Sequence, residues 1–541
     1  MQDFPMTVAA IMRQGTSVFG DSEVATFTGD GLRRRSYAEV GARAARLAGA
    51  LRRLGVDGDQ RVATFMWNNT EHLEAYLAVP SMGAVLHTLN IRLFPDQLAY
   101  IADHAEDQVV IVDGSLVPLL ATVLPRMKTV RHVIVTGETL GEADLSPLTE
   151  AGKEAHSYEE LLAGAPASFD WPEDIDERSA AAMCYTSGTT GHPKGVVYSH
   201  RSAFLHSMSL CTGNAVGLTA ADKVLPVVPM FHANAWGLPY AAVLAGSSLL
   251  MPDRFLQGEP LVRMIEMERP TVSGAVPTIW GEVLRHAREH GSDLTSLRLV
   301  PCGGSAVPES LMQGFDELGV RIVHAWGMTE TSPVASIAHP PPGTSGEEAW
   351  RYRLTQGRAL TGIEARVVGD GDTPLPSDGR TVGEIEVRGL WVTASYYKDE
   401  DEDRFHDGWL RTGDVGTMSP DGFMVLTDRA KDVIKSGGEW ISSVDLENQL
   451  TAHPDVIEAA VVGVPDDRWQ ERPLASVVLR EGAAVTAEEL SAFIGERVAK
   501  WQVPERWAFI IEVPKTSVGK FDKKVLRKRY ADGELNVVTL R

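Results

Sequence analysis

Residues 185–195 read YTSGTTGHPKG, a stretch that combines glycines, Ser and Thr hydroxyls and one lysine. The apolar run 180–184 in front of it predicts a short buried strand, and Gly188 and Gly191 let the following backbone bring its N–H groups close to a ligand. Exposed N–H groups, side-chain hydroxyls and the ammonium of Lys194 together suit a polyphosphate. The hydroxyls are those of Thr186, Ser187, Thr189 and Thr190. The segment therefore predicts a strand that ends in an anion-binding loop, with a flexible Ser/Thr/Gly linker as the alternative.

The chain on either side of this loop alternates helical and strand patterns. Ser36 and Glu39 have capping-box spacing in front of an apolar helical face that ends at Gly55. β-rich runs at 61–66, 107–114 and 129–137 follow, separated by helical patterns. This alternation is typical of an α/β layer fold with parallel strands.

The pattern changes twice toward the C-terminus. From Gly362 onward, strands are broken by Gly and Asp turns, which predicts a smaller β-rich region. From Arg429 onward, strands and helices alternate in an α+β manner. We therefore predict an α/β protein with two domains. Residues 1–428 form a large N-terminal domain of layered α/β subdomains plus a β-rich subdomain, and residues 429–541 form a small α+β C-terminal domain.

Composition excludes several classes of function. The chain has 541 residues and a net charge of −22, which argues against a nucleic-acid partner and against adhesion to anionic lipid. Its three cysteines, Cys184, Cys211 and Cys302, lack the spacing of a disulfide framework or a cysteine zinc site, and we expect them to be core residues of a protein in a reducing compartment.

Targeting and membrane signals are also absent from the sequence pattern. The N-terminus has no basic start followed by a long apolar core, so a signal peptide is not expected. The longest uncharged stretch, 224–252, contains Pro226, Pro229 and Pro239, which make a poor bilayer helix. We expect a cytoplasmic protein without an integral membrane segment.

Three further clusters carry residues that suit a nucleotide. Residues 301–308, PCGGSAVP, place two glycines and a serine at a strand end, where open α/β sheets bind ligands. In 324–330, HAWGMTE, Trp326 could stack on a base and Glu330 could hold a hard cation. Asp414, after a glycine turn, could accept both ribose hydroxyls. The alternatives are a buried Trp at a capped turn and an Asp that only caps a turn.

A basic run closes the chain. Residues 515–529 hold seven basic residues against the single acid Asp522, in a protein that is otherwise acidic. A solvated helix face is the usual explanation of such a run. Lys520 is set apart because it follows a glycine, and a turn there can direct it toward a site.

Taken in chain order, five motifs resemble the adenylate-forming superfamily of acyl-CoA synthetases, luciferases and peptide-synthetase adenylation domains. They are YTSGTTGHPKG, GMTET, RTGD, DRAKDVIKSGGEWIS and PKTSVGK, and the resemblance covers nearly the whole chain. Within the superfamily, VVPMFHANAWGLPY at 227–240 and KSGGEWISSVDLEN at 435–448 look most like bacterial medium- and long-chain fatty-acyl-CoA ligases.

The resemblance implies an AMP-forming acid–thiol ligase. A carboxylic acid, ATP and CoA would give acyl-CoA, AMP and diphosphate through an acyl-adenylate, with a medium- or long-chain fatty acid as the substrate. Because the ATP motifs do not choose the acyl group, a short, aromatic or thioether acid is the alternative. An ATP-binding regulatory protein with a dead site is disfavoured, since the polar and charged motif residues are all present.

Site residues follow from the resemblance, residue by residue. The catalytic residues would be Lys520, Thr186 and Glu330, the last two as Mg2+ ligands. ATP and AMP would be bound by Thr186, Ser187, Gly188, Thr189, Thr190, Lys194, Gly303, Gly304, Ser305, His324, Ala325, Trp326, Gly327, Met328, Thr329, Asp414, Arg429, Lys431, Lys435, Trp440 and Lys520. The acyl group would be contacted by His232, Ala233, Trp236 and Gly304, and CoA by Ser436, Gly437 and Gly438. Trp326 stands where many relatives have Tyr, and the larger ring can narrow the acyl cavity.

The implied mechanism has two half-reactions. A fatty carboxylate is already ionised at pH 7, so it needs no general base to attack the α-phosphate, and the obstacle is repulsion between two anions. Mg2+ and Lys520 would neutralise that charge. Lys431 would be the hinge about which a mobile C-terminal domain rotates before CoA displaces AMP. The resemblance also allows a homodimer, since relatives can form one.

Overall fold

The computed structural model describes residues 2–137, 145–186, 192–399, 401–429, 431–436, 439–466, 468–516 and 521–540. Its strands are β1 Glu23–Phe27, β2 Leu32–Ser36, β3 Arg61–Phe65, β4 Val85–Thr88, β5 Asp107–Asp113, β6 His132–Thr136, β7 Glu154–Ser157, β8 Ala180–Tyr185, β9 Gly195–Ser199, β10 Lys223–Pro226, β11 Ser248–Met251, β12 Val272–Gly274, β13 Val300–Gly303, β14 Ile322–Gly327, β15 Val334–Ile337, β16 Gly357–Ala359, β17 Ile363–Val368, β18 Gly383–Gly389, β19 Phe405–His406, β20 Trp409–Met418, β21 Phe423–Arg429, β22 Ile434–Ser436, β23 Glu439–Ile441, β24 Val456–Asp466, β25 Gln470–Leu479, β26 Arg506–Phe509 and β27 Val537–Thr539. Its α-helices are α1 Val8–Arg13, α2 Tyr37–Arg53, α3 Thr70–Ser81, α4 Pro95–Ala105, α5 Val117–Ala121, α6 Ser146–Glu150, α7 Tyr158–Ala163, α8 His200–Leu210, α9 Leu238–Ala245, α10 Gly258–Glu268, α11 Pro277–His290, α12 Glu309–Glu317, α13 Gly346–Arg353, α14 Ser443–Thr451, α15 Ala487–Gly495 and α16 Lys523–Ala531.

A seven-stranded sheet carries the predicted anion-binding loop. Its strand order is β7-β6-β5-β3-β4-β8-β9, with parallel pairing except between β8 and β9. The predicted strands before and around the loop are confirmed, as is the helix α2, whose capping box joins Ser36 and Glu39. The loop therefore starts at the carboxyl end of a parallel strand, where open α/β sheets bind ligands.

A five-stranded sheet is ordered β12-β10-β11-β1-β2, and its strands β10 and β11 contain the two ends of the long uncharged stretch. Asn68, after β3, connects the two sheets. Its amide donates to the carbonyls of Pro226 at 2.7 Å and Val228 at 2.8 Å, and its oxygen accepts from the N–H of Met230 at 2.7 Å. These bonds satisfy the backbone where the chain leaves β10, and His232 and Ala233, just beyond Met230, line the same cavity as Thr186 at the end of β8.

A nine-stranded sheet contains the β-rich region predicted beyond Gly362. Its order runs β13-β14-β15-β16-β21-β20-β18-β17, with β19 paired to β20. Only β13 and β14 pair in parallel; the other neighbours are antiparallel. This sheet extends from the α/β layers into the region of Gly and Asp turns, and β14 and β20 bring two of the predicted nucleotide clusters onto one surface.

The C-terminal elements form their own six-stranded sheet, β23-β22-β25-β26-β27 with β24 on β25, and their own apolar cores. The start of α14 is bound to the end of β21. The hydroxyl of Ser442 donates to the Thr427 carbonyl, and the backbone N–H of Ser443 donates to the Asp428 carboxylate at 2.7 Å. The division at residue 428 stays a prediction.

The basic run near the C-terminus is not a wholly solvated helix face. Lys523 is only 11% exposed, and its ammonium lies 2.8 Å from the carboxylate of Glu447 and donates to the Ser443 hydroxyl at 2.6 Å. Lys524, the next residue, is exposed. The expectation of a surface run is therefore wrong for Lys523, because this residue at the start of α16 packs against Ser443 and Glu447 of α14.

Two further expectations can be compared with the structure. Cys184 and Cys302 are buried and Cys211 is half-buried, which agrees with their assignment to the core. Among the residues that the structure describes, no helix is long and apolar enough to cross a bilayer. The mixed architecture confirms the predicted α/β class.

Candidate active site

A cavity of about 640 Å³ opens where the carboxyl ends of β8 and β14 meet the segment after β10. It collects predicted site residues from five separate parts of the chain. The predicted residues that line it are Thr186, Lys194, His232, Ala233, Trp236, Gly304, Ala325, Trp326, Gly327, Met328, Thr329, Glu330, Arg429 and Lys431. Both the residues expected to bind nucleotide and those expected to bind the acyl group share this one space.

The two ends of the predicted anion-binding loop are hydrogen-bonded to each other. The N–H of Thr186 donates to the Lys194 carbonyl at 2.9 Å, and the N–H of Lys194 donates to the Thr186 hydroxyl at 3.1 Å. The side chain of Lys194 reaches the carboxylates of Asp401 at 2.6 Å and Asp399 at 3.3 Å. Partial burial lowers the pKa of Lys194, but these two hydrogen-bonded carboxylates outweigh it and raise the pKa above its ordinary value.

Glu330 is a buried carboxylate at the cavity wall, 4% exposed. The hydroxyl of Tyr396 donates to it at 2.6 Å, and the guanidinium of Arg404 lies 3.5 Å away. Burial, followed by the charge of Glu330, raises the pKa of Tyr396, so the phenol remains a donor at neutral pH. These contacts fix one carboxylate oxygen in place.

Trp326, Asp414 and Arg429 form a connected group. The indole N–H of Trp326 donates to one oxygen of Asp414 at 2.8 Å, and Nε of Arg429 lies 2.6 Å from the other. Asp414 is only 5% exposed and is not itself among the cavity-lining residues, whereas both of its partners are. The carboxylate is thus held from two sides, directly behind the wall formed by the indole.

Two glycines at the end of β13 have different roles. A Cβ on Gly303 would lie 2.1 Å from the carbonyl oxygen of Ala325, so glycine is required there for the pairing of β13 with β14. Gly304 has φ +82° and lines the cavity. Packing between strands explains the first glycine, and the left-handed turn at the cavity explains the second.

The segment expected to contact the acyl group has an unusual backbone. Ala233, Asn234, Ala235 and Trp236 all have φ between +43° and +58°, and Gly237 follows at +74°. Left-handed conformations cost about 1–2 kcal/mol per non-glycine residue, so tertiary contacts must hold the turn. The Asn234 side-chain oxygen accepts from the thiol of Cys184 at 3.1 Å and from the hydroxyl of Tyr76 at 3.4 Å. The turn directs the Trp236 side chain to the cavity wall, where it is 8% exposed.

Some predicted site residues lie elsewhere. Gly303, Ser305, His324, Lys435 and Ser436 are not among the described residues that line the cavity. Burial lowers the pKa of His324 to about 4, and Ser436 accepts a hydrogen bond from Arg472 at 3.1 Å. Ser187, Gly188, Thr189, Thr190, Gly437, Gly438, Lys520 and the Trp440 side chain lie outside the described part of the chain.

Sequence reasoning missed a second group of cavity residues. They are Tyr100, His104, His192, Tyr396, Tyr397, Lys398, Asp399, Asp401 and Arg404. Most come from one stretch, 396–404, which reads YYKDEDEDR. The two tyrosines are an available signal, because Tyr is buried more often than the acidic residues that follow it.

Comparison with known proteins identifies the family of this chain. The chain matches the AMP-binding enzyme family over residues 13–397 and the AMP-binding enzyme C-terminal domain over residues 445–520. It is 43% identical to the 3-methylmercaptopropionyl-CoA ligase of Ruegeria pomeroyi, with 98% of each chain covered. It is 44% identical to the long-chain-fatty-acid–CoA ligase of Thermus thermophilus, covering 98% of this chain and 96% of that one.

A solved structure shares the whole fold. The anthranilate CoA ligase AuaEII in complex with anthranoyl-AMP superposes with a TM-score of 0.87 at 24% identity, over 98% of this chain and 99% of that one. The family match and the two relatives confirm the resemblance inferred from the motifs. This chain belongs to the AMP-binding enzyme family and is an AMP-forming acid–CoA ligase that uses ATP and CoA and works through an acyl-adenylate.

Proposed function

We propose that the acid is short, of the length of a C4 to C6 chain, and that a thioether acid such as 3-methylmercaptopropionate is the preferred substrate. The observation that carries the proposal is the shared cavity. The residues expected to bind the nucleotide and those expected to bind the acyl group line one cavity of about 640 Å³. Pockets of about 300–1,000 Å³ hold one drug-sized ligand, which is the size class of an acyl-adenylate with a short acyl group.

Two tryptophans limit the room left for the acyl chain. Trp236 and Trp326 are each 8% exposed and both line the cavity. The Trp236 ring also packs on the end of β12, with Cε3 3.6 Å from the position of a Cβ on Gly274. A long chain could pass only if this indole moved. The Ruegeria relative, a 3-methylmercaptopropionyl-CoA ligase, supports the short-acid proposal.

A medium- or long-chain acid is the second candidate. It was the first expectation from the sequence, and the Thermus relative, a long-chain-fatty-acid–CoA ligase at 44% identity, favours it. For this acid, Trp236 would act as a gate that swings away from Gly274. The turn that carries Trp236 holds four non-glycine residues in left-handed conformations, and relief of this backbone strain would favour such a movement.

The proposed roles of the nucleotide-side residues follow the geometry. Lys194 would neutralise the β- and γ-phosphates, and Trp326 would stack on the adenine. Asp414 would accept the ribose hydroxyls with Arg429 beside it; the hydrogen bond from Trp326 and the ion pair with Arg429 hold its carboxylate next to the cavity wall. Lys520 would meet the α-phosphate during adenylate formation, with Lys431 as the hinge of the C-terminal domain.

Thr186 and Glu330 fit a magnesium ion. Both line the cavity and both offer oxygen, the ligand type that Mg2+ prefers, and a magnesium site usually needs only one or two carboxylates beside the phosphates. When bound, the ion would neutralise phosphate charge. Tyr396 and Arg404 would keep the Glu330 carboxylate oriented toward it. A cytoplasmic location and a homodimer remain predictions from the sequence.

The test is a panel of acids assayed for acid- and CoA-dependent AMP release. It compares 3-methylmercaptopropionate, pentanoate, octanoate and hexadecanoate; pentanoate replaces the sulfur by a methylene at equal chain length. We expect kcat/KM to be highest for the first two and at least about tenfold lower for octanoate, since one poorly accommodated methylene costs about 1–3 kcal/mol. Equal or better use of hexadecanoate would overturn the short-acid proposal.

Trp236→Ala is the matched variant. It should raise kcat/KM for octanoate, lower it for 3-methylmercaptopropionate and leave the KM for ATP unchanged. If the variant instead weakened ATP and left the acid profile as it was, Trp236 would belong to the nucleotide side.

A further inference from the structure

Three potential metal ligands lie on one face of the seven-stranded sheet, away from the cavity. His132 begins β6, and Glu154 and His156 belong to the neighbouring strand β7. The register pairs His132 with Glu154 and Ile134 with His156. Directly opposed residues share a face, and so do residues two apart on one strand. All three side chains therefore leave the sheet on the same side.

Their spacing matches tetrahedral coordination. Nδ1 of His132 lies 3.3 Å from Nε2 of His156 and 3.3 Å from a carboxylate oxygen of Glu154, and the three ligand atoms lie within 4.8 Å of one another. For metal–ligand bonds of about 2.0–2.1 Å, the edge of a tetrahedron is about 3.3 Å. Two of the three edges thus already have the length that a zinc ion requires.

The chemistry of the cluster also suits a transition metal. Imidazole is the commonest protein ligand for zinc, and a His2Glu set with an open fourth position is an established zinc ligand set. Lys153, which precedes Glu154 in the chain, is engaged elsewhere, because its ammonium donates to the carbonyls of Met127 at 2.7 Å and Val130 at 2.8 Å.

A second acidic–histidine cluster in the described part of the chain is less suitable. Asp372, Glu386 and His406 also approach one another. However, Glu386 is paired with Arg366 at 2.7 Å, and Arg411 contacts Asp372. The guanidinium groups already neutralise these carboxylates, so a cation would have to displace them.

The cluster on β6 and β7 is remote from the nucleotide cavity. His132 and Glu154 stand at the amino ends of parallel strands, whereas the predicted anion-binding loop leaves the carboxyl end of β8. The strand order places four strand spacings between β6 and β8, about 19 Å at ~4.8 Å each. A metal here would not touch the reacting groups. It would join the edge strand β7 to β6.

We propose that His132, Glu154 and His156 form a binding site for a divalent transition-metal ion of the zinc type, which stabilises the edge of the seven-stranded sheet. Water would complete the coordination. The site is separate from the magnesium position proposed at the ATP cavity, and the inference does not depend on which acid the enzyme uses.

The test uses Co2+ and Zn2+ with the full-length, metal-free protein in buffer that contains excess Mg2+, so that the catalytic position is saturated. We expect one equivalent of Co2+ to produce the strong visible absorption of low-coordinate cobalt, and Zn2+ to displace it. His156→Gln and His132→Gln should each weaken Co2+ binding by at least about tenfold, the lower range for loss of even an indirect partner. Zn2+ should raise the thermal midpoint of the native protein but not of these variants.

A surface pair provides the matched control. His286 and His290 stack on α11 at a ring separation of 4.1 Å, one helical turn apart, and could bind Co2+ by themselves. The double variant His286→Gln/His290→Gln should retain the cobalt signal. Loss of the signal in that variant, or unchanged affinity in His156→Gln, would overturn the proposal, as would failure of the native protein to bind one equivalent. Ligase activity should be preserved in all these variants, which separates a lost metal site from a misfolded protein.

Discussion

Lys194 is paired with two aspartates, and neutralising them should tighten ATP binding. Its ammonium lies 2.6 Å from Asp401 and 3.3 Å from Asp399. If Lys194 binds the triphosphate as proposed, ATP must compete with both carboxylates. The perturbation is the double substitution Asp399→Asn/Asp401→Asn. Asparagine keeps the acceptor that Asp401 offers to the N–H of Arg404 at 3.2 Å.

The size of the effect follows from exposure. The side chains of Lys194, Asp401 and Asp399 are 37%, 24% and 44% exposed, so each pair resembles a surface ion pair. Such pairs contribute about 0.2–1 kcal/mol each, so two of them correspond to a factor of about 2 to 30. Removing two negative charges beside the phosphates acts in the same direction. We expect the KM for ATP to fall by that factor with little change in kcat.

The assay is the initial rate of AMP formation as a function of ATP, at saturating acid and CoA. The matched control is Glu402→Gln/Asp403→Asn, which removes two exposed charges from the same segment. This control should change the KM for ATP much less. The fall in KM caused by Asp399→Asn/Asp401→Asn should become smaller at high salt. A rise in the KM for ATP would refute the reasoning. An equal fall in the control variant would show that only the net charge of the segment matters, and not the pairing with Lys194.

Three further substitutions test other contacts. Asp253→Asn should stabilise the protein at pH 7 but not at pH 4. Burial raises the pKa of the Asp253 carboxyl from 3.8 to about 6. The stability that the bound proton provides is therefore present below pH 3.8 and lost as the pH rises through 6. Urea unfolding across that range should show a difference growing to at most about 3 kcal/mol, and a difference independent of pH would contradict this. Lys523→Ala should lower the free energy of unfolding of the C-terminal region by about 3–5 kcal/mol, because it leaves a buried carboxylate unpaired, whereas the exposed neighbour Lys524→Ala should change it by less than about 0.5 kcal/mol. Trp326→Phe removes the N–H donated to Asp414, a bond to a charged group contributing about 1.5–3 kcal/mol, and should raise the KM for ATP about tenfold or more; an unchanged KM would show that the bond does not orient the carboxylate for ribose.

Local features of the protein were determined by the sequence alone. The capped helix α2, the strand β8 and the parallel strands of the first sheet follow from apolar periodicity and capping residues, because these patterns act over a few neighbouring residues. The ordered motifs identified the family for the same reason. Each motif is a short stretch whose chemistry is contained in its own residues, and Thr186 and Glu330 do line one cavity.

Contacts between distant residues were decided only by the tertiary structure. Tyr396 meets Glu330 across 66 positions, and Trp326 meets Asp414 across 88. No local pattern specifies such a pair, because the distance between the two side chains depends on how β14 and β20 pack in one sheet. The left-handed turn at Trp236 is similar, since its backbone cost is met by partners from other elements.

Which charged side chains are buried also depends on the tertiary structure. Lys523 reads as part of a basic surface run, yet it is enclosed between α16 and α14 and paired with Glu447. Likewise, His132 and His156 are 24 positions apart, and only the pairing of β6 with β7 brings their rings within 3.3 Å. A sequence determines which groups can ionise or coordinate, whereas packing decides which of them lose water and gain a partner, and these two changes set the energy of a charge.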